Sequence, residues 1–314
     1  MRYKNKHYKS YWVDKGILLG LLLSVVFCLP SCSEDSTTTK MDNSFDWQGH
    51  RGCRGLLPEN TVPAFLKALD YNVKTLEMDA AISKDGQVII SHEPWFSAEI
   101  SSKPDGSPIV HEEEKEFAIR HMDVATLQKY DVGMRGNERF PQQTKMNIHK
   151  PTLEEVVKAV NDYCQKNNHP QPLYNIEIKS RVEWDTVLAP VPELFADILL
   201  KEINRLGIHD QACIQSFDVR SLEATYAIDK KIVTAYLIEN INSFQDNMKL
   251  LSFTPTIYSP YYQLVTDSLV SQTKAKNMQL IPWTINDVET MKKLKEMGVD
   301  GIITDYPNLI AEVQ

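Results

Sequence analysis

Cysteine is scarce in this chain, five in 314 residues. So few cannot staple a chain of this length, and a disulfide framework is excluded. No group of Cys and His shows zinc spacing, which argues against a soft-metal site. The longest largely apolar run, Gly16 to Pro30, has 15 residues, short of the ~20 that a spanning helix needs. Basic charge is also short, with 34 Lys and Arg against 42 Asp and Glu and a net charge of −8. Nucleic acid is therefore not the expected partner, because binding a phosphate backbone requires a basic face. What is present, 42% hydrophobic, 9% aromatic and 24% charged, describes a globular protein with a large core and excludes a disordered or collagenous chain.

The first residues read as an address. Arg2, Lys4, Lys6, Lys9 and Lys15 precede the apolar run, giving the basic and hydrophobic regions of a secretory signal. Leu29-Pro30-Ser31-Cys32 follows and resembles the lipobox of bacterial lipoproteins. Residues 1–31 are expected to be a removed lipoprotein signal, with Cys32 lipidated and residues 32–44 a flexible polar tether. The protein would then be exported and lipid-anchored to the bacterial cell envelope. The remaining chain carries 29 basic and 41 acidic residues, a net charge of −12, and retains Cys53, Cys164 and Cys213, expected as buried thiols.

From residue 45 to 314, short apolar runs alternate with helical patterns, the signature of a parallel sheet with crossover helices. Strands are expected at 46–50, 75–79, 173–179, 212–217, 232–237, 256–259, 279–284 and 301–304. Eight such strands predict an α/β fold, a single (β/α)8 TIM barrel. Helices are expected at 61–71, 152–167, 187–206, 218–229, 242–251, 266–277, 287–297 and 307–313. Asp85-Gly86 between apolar runs predicts a β-hairpin arm after strand 2. A two-residue turn there would set Asp79 opposite His92. An irregular insertion at about 95–150 is expected over one barrel face, where it would shape a pocket.

Chemistry-bearing residues cluster at the C-terminal ends of these strands, the catalytic face of such a barrel. Residues two apart on a strand share a face, so Glu77 pairs with Asp79, and Glu177 with Lys179. Three converging carboxylates suit a hard divalent cation such as Ca2+ or Mg2+. His50 and His92 can move protons near neutral pH. With Arg51 and Lys179 to neutralise a phosphate, the set suits phosphodiester chemistry.

The motifs His50-Arg51-Gly52, Pro58-Glu59-Asn60-Thr61, Glu77-Met78-Asp79, Lys84-Asp85-Gly86, His92, Glu177-Ile178-Lys179, Trp283-Thr284-Ile285-Asn286 and Thr304-Asp305-Tyr306-Pro307 together resemble the glycerophosphodiester phosphodiesterase family. That family's TIM barrel is related to phosphatidylinositol phospholipase C. The resemblance implies metal-dependent hydrolysis of glycerophosphodiesters to an alcohol and sn-glycerol 3-phosphate, through a cyclic phosphate formed by the substrate's own hydroxyl. It assigns His50 and His92 as the acid/base pair, and Glu77, Asp79 and Glu177 as ligands of Ca2+ or Mg2+. Arg51 and Lys179 would bind phosphate, Glu59 would support them, and Phe217 and Trp283 would line the pocket. The chain departs from the pattern at Glu93, where family members usually have Asp, and at Asn72, where they usually have Gly. Two other readings compete: an enzyme cleaving an intact lipid or polymer, and a surface lipoprotein that binds a phosphodiester without cleaving it.

Overall fold

In the computed structural model, which describes residues 44–313, eight parallel strands form the barrel. They are β1 (Asp46–Gly49), β2 (Thr75–Ile82), β4 (Leu173–Ile178), β5 (Ala212–Ser216), β6 (Val233–Ile238), β7 (Ile257–Pro260), β8 (Gln279–Leu280) and β9 (Gly301–Thr304). The order is β8-β7-β6-β5-β4-β2-β1-β9, with β3 (Val88–Ile90) antiparallel on β2. Backbone hydrogen bonds from Asp300 N to Leu280 O (2.9 Å) and from Ile303 N to Pro282 O (3.0 Å) bridge β8 and β9. The expected eight-stranded α/β barrel is therefore the observed fold. The expected signal and all of the tether but Ser44, with Cys32, lie outside the described residues.

Crossover helices make the parallel order possible. They are α1 (Val62–Leu69), α3 (Leu153–Asn167), α4 (Pro192–Arg205), α5 (Val219–Ile228), α6 (Phe244–Met248), α7 (Asp267–Ala275) and α8 (Val288–Met297), while α2 (Val124–Leu127) belongs to the insertion. Asp218, Thr266 and Asp287 accept backbone N–H bonds as N-caps, each stabilising its helix by about 1 kcal/mol. Thr152 and Glu155 form a reciprocal capping box. Asn72 takes φ +57°, the left-handed region that glycine favours and asparagine tolerates.

Three local expectations are corrected. Helix α4 begins at Pro192 and not at 187, because Pro190 and Pro192 hold the residues before them out of helical geometry. Residues 307–312 form a 3-10 helix. The hairpin pairs Ala80 with Ile90 and Ile82 with Val88, so Ser91, not His92, faces Asp79, and Ser91 N–H donates to Asp79 O at 2.8 Å. The turn has three residues, Lys84 to Gly86, with Gly86 at φ +77°. That is the common three-residue hairpin loop ending in a left-handed residue.

Strand alternation divides the chain into two environments. Leu76, Met78, Tyr174, Ile176 and Ile214 face outward and pack with Phe65, Val156 and Leu199 of the helices in the main core. The barrel interior is itself split. Cys213, Ala235, Ile257, Ile281 and Ile303 make its apolar side, and Asp46, Gln48, Thr75, Glu77, Asn175 and Gln215 its hydrogen-bonded polar side. The insertion builds its own core, in which Phe96, Ile109, Ile119, Leu127 and Val132 pack on Ala81 and Ile89 of the hairpin. Folding onto the hairpin carries the insertion to the C-terminal end of β2.

Candidate active site

The turn after β1 begins the site. Arg51 and Gly52 have φ +49° and +84°, and a Cβ on Gly52 would lie 2.6 Å from the Ala64 carbonyl carbon of α1. Only glycine fits there. The turn aims the Arg51 backbone N–H at Glu77 Oε2, 2.8 Å away. Glu77 and Asp79 on β2 meet Glu177 on β4, and one oxygen of each lies within 4.8 Å of the others. All three are buried. Burial and the neighbouring Asp79 push the Glu77 carboxyl well above the usual range. Burial also lifts Glu177, to about 7, against the pull of Lys179. Asp79 stays far below the ordinary value although burial opposes it, because His92, Arg51 and Lys179 surround it and Asn60 Nδ2 donates to Oδ2 at 2.8 Å. Three buried carboxyl groups this close together, two of them raised in pKa by burial and mutual repulsion, fit a hard divalent cation whose charge would relieve that repulsion.

Two cationic side chains flank the carboxylates. Arg51 bonds Glu59 through Nη1 at 2.7 Å, and its Nε, 3.4 Å from Asp79, lacks a hydrogen-bond partner. Lys179 Nζ lies 3.0 Å from Glu177 and 3.8 Å from Asp79. Burial opposes its charge, but those two carboxylates prevail and raise its pKa.

Each histidine is backed by a carboxylate. His50 Nδ1 lies 2.6 Å from Asp305 Oδ1, and Nε2 points to the triad, 3.9 Å from Glu77. Asp305 also accepts from Arg54 Nε (2.8 Å) and Nη2 (3.1 Å), and from Asn286 Nδ2 (2.8 Å). Burial lowers the His50 pKa to about 4, outweighing the Asp305 charge, so the imidazole is neutral with its proton on Nδ1. His92 Nδ1 lies 2.5 Å from Glu93 Oε1 and Nε2 3.0 Å from Lys179 Nζ. Glu93, one methylene longer than the expected Asp, thus reaches the imidazole. Burial, Arg51 and Lys179 lower the His92 pKa.

A sequence profile of the glycerophosphoryl diester phosphodiesterase family matches residues 50–309. The chain belongs to that family. Two glycerophosphodiester phosphodiesterases are similar to it: one from Caldanaerobacter subterraneus is 28% identical, with 83% of this chain and 94% of that one aligned. One from Bacillus subtilis is 27% identical over 84% and 85%. A crystal structure of a family protein from Silicibacter pomeroyi superposes with a TM-score of 0.76 at 25% identity, covering 86% and 93% of the two chains. An Oleispira antarctica phosphodiesterase, solved with sn-glycerol 3-phosphate, shares the fold at a TM-score of 0.67, 23% identity and coverage of 85% and 96%.

Hydrogen bonds and ion pairs join His50, Arg51, Glu59, Glu77, Asp79, His92, Glu177 and Lys179 in one network, and Phe217 and Trp283 follow the C-terminal ends of β5 and β8. Phe217 and Trp283 meet edge to face, ring centroids 5.4 Å apart, and Tyr261 adds a third ring 5.7 Å from Trp283. Trp283 is fixed by Nε1–H donation to Ser259 O at 2.9 Å. Sequence reasoning gave no role to Asp305, Asn60, Arg54 or Gln215. The first two lie inside recognised motifs, which was a usable signal. Cys53, Cys164 and Cys213 are buried free thiols, as expected.

Proposed function

We propose that this protein is a phosphoric diester hydrolase that cleaves glycerophosphodiesters to an alcohol and sn-glycerol 3-phosphate. The observation that carries the reading is the pair of carboxylate-backed histidines at one buried acidic triad, His50 next to Glu77 and His92 on Lys179, which itself pairs with Glu177. Glu77, Asp79 and Glu177 would hold a divalent cation, Ca2+ or Mg2+. When bound, it would supply charge to stabilise the phosphoryl oxygens.

The protein's own groups account for the proton movements. The substrate's glycerol hydroxyl attacks phosphorus, and His50 Nε2 takes its proton while Asp305 holds the Nδ1–H. The ester bond to the alcohol breaks, and His92 protonates the departing oxygen. Bringing an anionic phosphodiester to Arg51 and Lys179 offsets the two charges that depress His92 and so favours the imidazolium needed for this step. Water then opens the cyclic phosphate with the two histidines exchanging roles. Arg51, anchored by Glu59, and Lys179 orient the phosphate. Phe217 and Trp283 form an apolar wall.

Product analysis on a panel of glycerophosphodiesters tests this reading. Free alcohol with sn-glycerol 3-phosphate supports it. Diacylglycerol from an intact lipid, a cyclic phosphate that persists, or binding without turnover would refute it. We also propose that Cys32 carries the lipid that anchors the exported protein to the cell envelope. The basic, apolar and lipobox-like segments of residues 1–32 support this. Metabolic labelling with a palmitate analogue that survives Cys32→Ala would contradict it.

A further inference from the structure

We propose that Gln215 is a positioning residue for Glu77, fixed in place by a buried amide ladder that runs through the barrel. The proposal rests on the reading of Glu77, Asp79 and Glu177 as the cation site.

The ladder is centred on Asn175. Its Nδ2 donates to Gln48 Oε1 at 2.8 Å and to Gln215 Oε1 at 3.1 Å. Each glutamine then turns its own amide nitrogen to a carboxylate. Gln48 Nε2 donates to Asp46 Oδ2 at 2.7 Å, and Gln215 Nε2 donates to Glu77 Oε1 at 2.7 Å. At the far end Thr75 Oγ1 donates to Asp46 Oδ1 at 2.7 Å. The ladder allows one orientation for each glutamine, because flipping either would set its NH2 against the Asn175 NH2 and withdraw a donor from a carboxylate. Gln48, Asn175 and Gln215 are all about as inaccessible as core leucines, at 1–2% exposure, so no solvent competes for these bonds.

This matters to Glu77 more than to its neighbours. A glutamate carboxylate rotates in a broad, two-fold well, and Glu77 sits among like charges that favour turning away. Two donors oppose this, the Arg51 N–H on Oε2 and Gln215 Nε2 on Oε1. Strand register places Gln215 beside Glu177, which in turn lies beside Asp79. The amide therefore stands in the same row as the two other acidic residues. Partners that orient ligating carboxylates in this way commonly set metal affinity.

The test is calorimetric titration of the metal-stripped protein with Ca2+ alone and Mg2+ alone, for the native chain, Gln215→Met and Gln215→Asn. Met keeps the side-chain volume and removes the amide. Asn keeps an amide for Asn175 but withdraws it from Glu77, and it serves if the Met variant does not fold. Both folded variants are expected to bind cation about 10–100-fold more weakly. Native affinity in a folded variant, with only a lowered Tm, would show that Gln215 merely satisfies a buried oxygen and would overturn the proposal. Failure of the native protein to bind either cation would overturn the cation site itself, and the proposal with it.

Discussion

Replacing Asp305 by Asn tests the His50 assignment more sharply than deleting the histidine. Four N–H donors converge on this carboxylate: His50 Nδ1, Arg54 Nε and Nη2, and Asn286 Nδ2, at 2.6–3.1 Å. An amide offers one acceptor oxygen and one donor nitrogen, so in either orientation its NH2 faces two donors. At least two charge-assisted bonds are lost, about 1.5–3 kcal/mol each, and the buried Arg54 loses its main counter-charge. A Tm fall on the order of 10 °C follows from about 2–4 °C per kcal/mol in a domain of this size. With the amide nitrogen toward His50, Nδ1 becomes the acceptor and the ring proton moves to Nε2, which ceases to be the base; with the oxygen toward His50, a neutral acceptor replaces the anion that stabilises the imidazolium. Turnover should drop by roughly 10²–10⁴. Asp305 contacts neither Arg51 nor Lys179, so KM should change little, and a kcat-selective loss separates positioning from binding. The assay is steady-state hydrolysis of glycerophosphocholine with circular dichroism to verify folding. A folded variant with kcat within roughly threefold of native would refute the role given to Asp305.

Further outcomes are expected. His92→Ala should lower turnover by roughly 10²–10⁴ while the protein stays folded, and near-native rates would remove His92 from the acid/base pair. Cys53 should resist alkylation in the native protein at pH 8 and react once unfolded, because burial pushes its thiol up to about 12; rapid native labelling measured by mass spectrometry would contradict this packing role. His209 is bonded to Asp210 and Asp229, which raise its pKa. Its contribution to stability is therefore present below the unfolded value near 6.5 and lost as pH rises through the folded one. His209→Ala should cost up to about 1 kcal/mol at pH 5.5 and nothing measurable at pH 9. An equal Tm loss at both pH values would rule out the ion pairs as the cause.

Much of the barrel and the acidic site was legible because strand parity is a local property. Glu77 and Asp79 share a face by their spacing alone, and the caps at Asp218, Thr266 and Asp287 announce their helices. Contacts made only by barrel closure were not legible. Asp305 meets His50 across 255 positions of sequence because β9 returns beside β1. Gln215 reaches Glu77 through an interior that no sequence periodicity describes. The hairpin register differs by one residue from the expected one because Asp85-Gly86 suits a two-residue turn and also a three-residue one. The difference moves every facing pair, and the register is settled by burial of Ile89 in the insertion core and Val88 and Ile90 in the main core. Helix α4 starts at Pro192, later than its helical periodicity suggests, because Pro190 and Pro192 keep the residues before them extended.

The buried triad of Glu77, Asp79 and Glu177 should make phosphodiester hydrolysis by this family member dependent on a divalent cation. Phosphorus NMR of glycerophosphocholine incubated with the protein tests it most directly, before chelation, after exhaustive chelation, and after adding back Ca2+ or Mg2+. An sn-glycerol 3-phosphate resonance should grow at first, stop on chelation and resume on adding either ion, with no growth in Glu77→Gln under any condition. Continued product formation after chelation, or unimpaired turnover by Glu77→Gln, would contradict it.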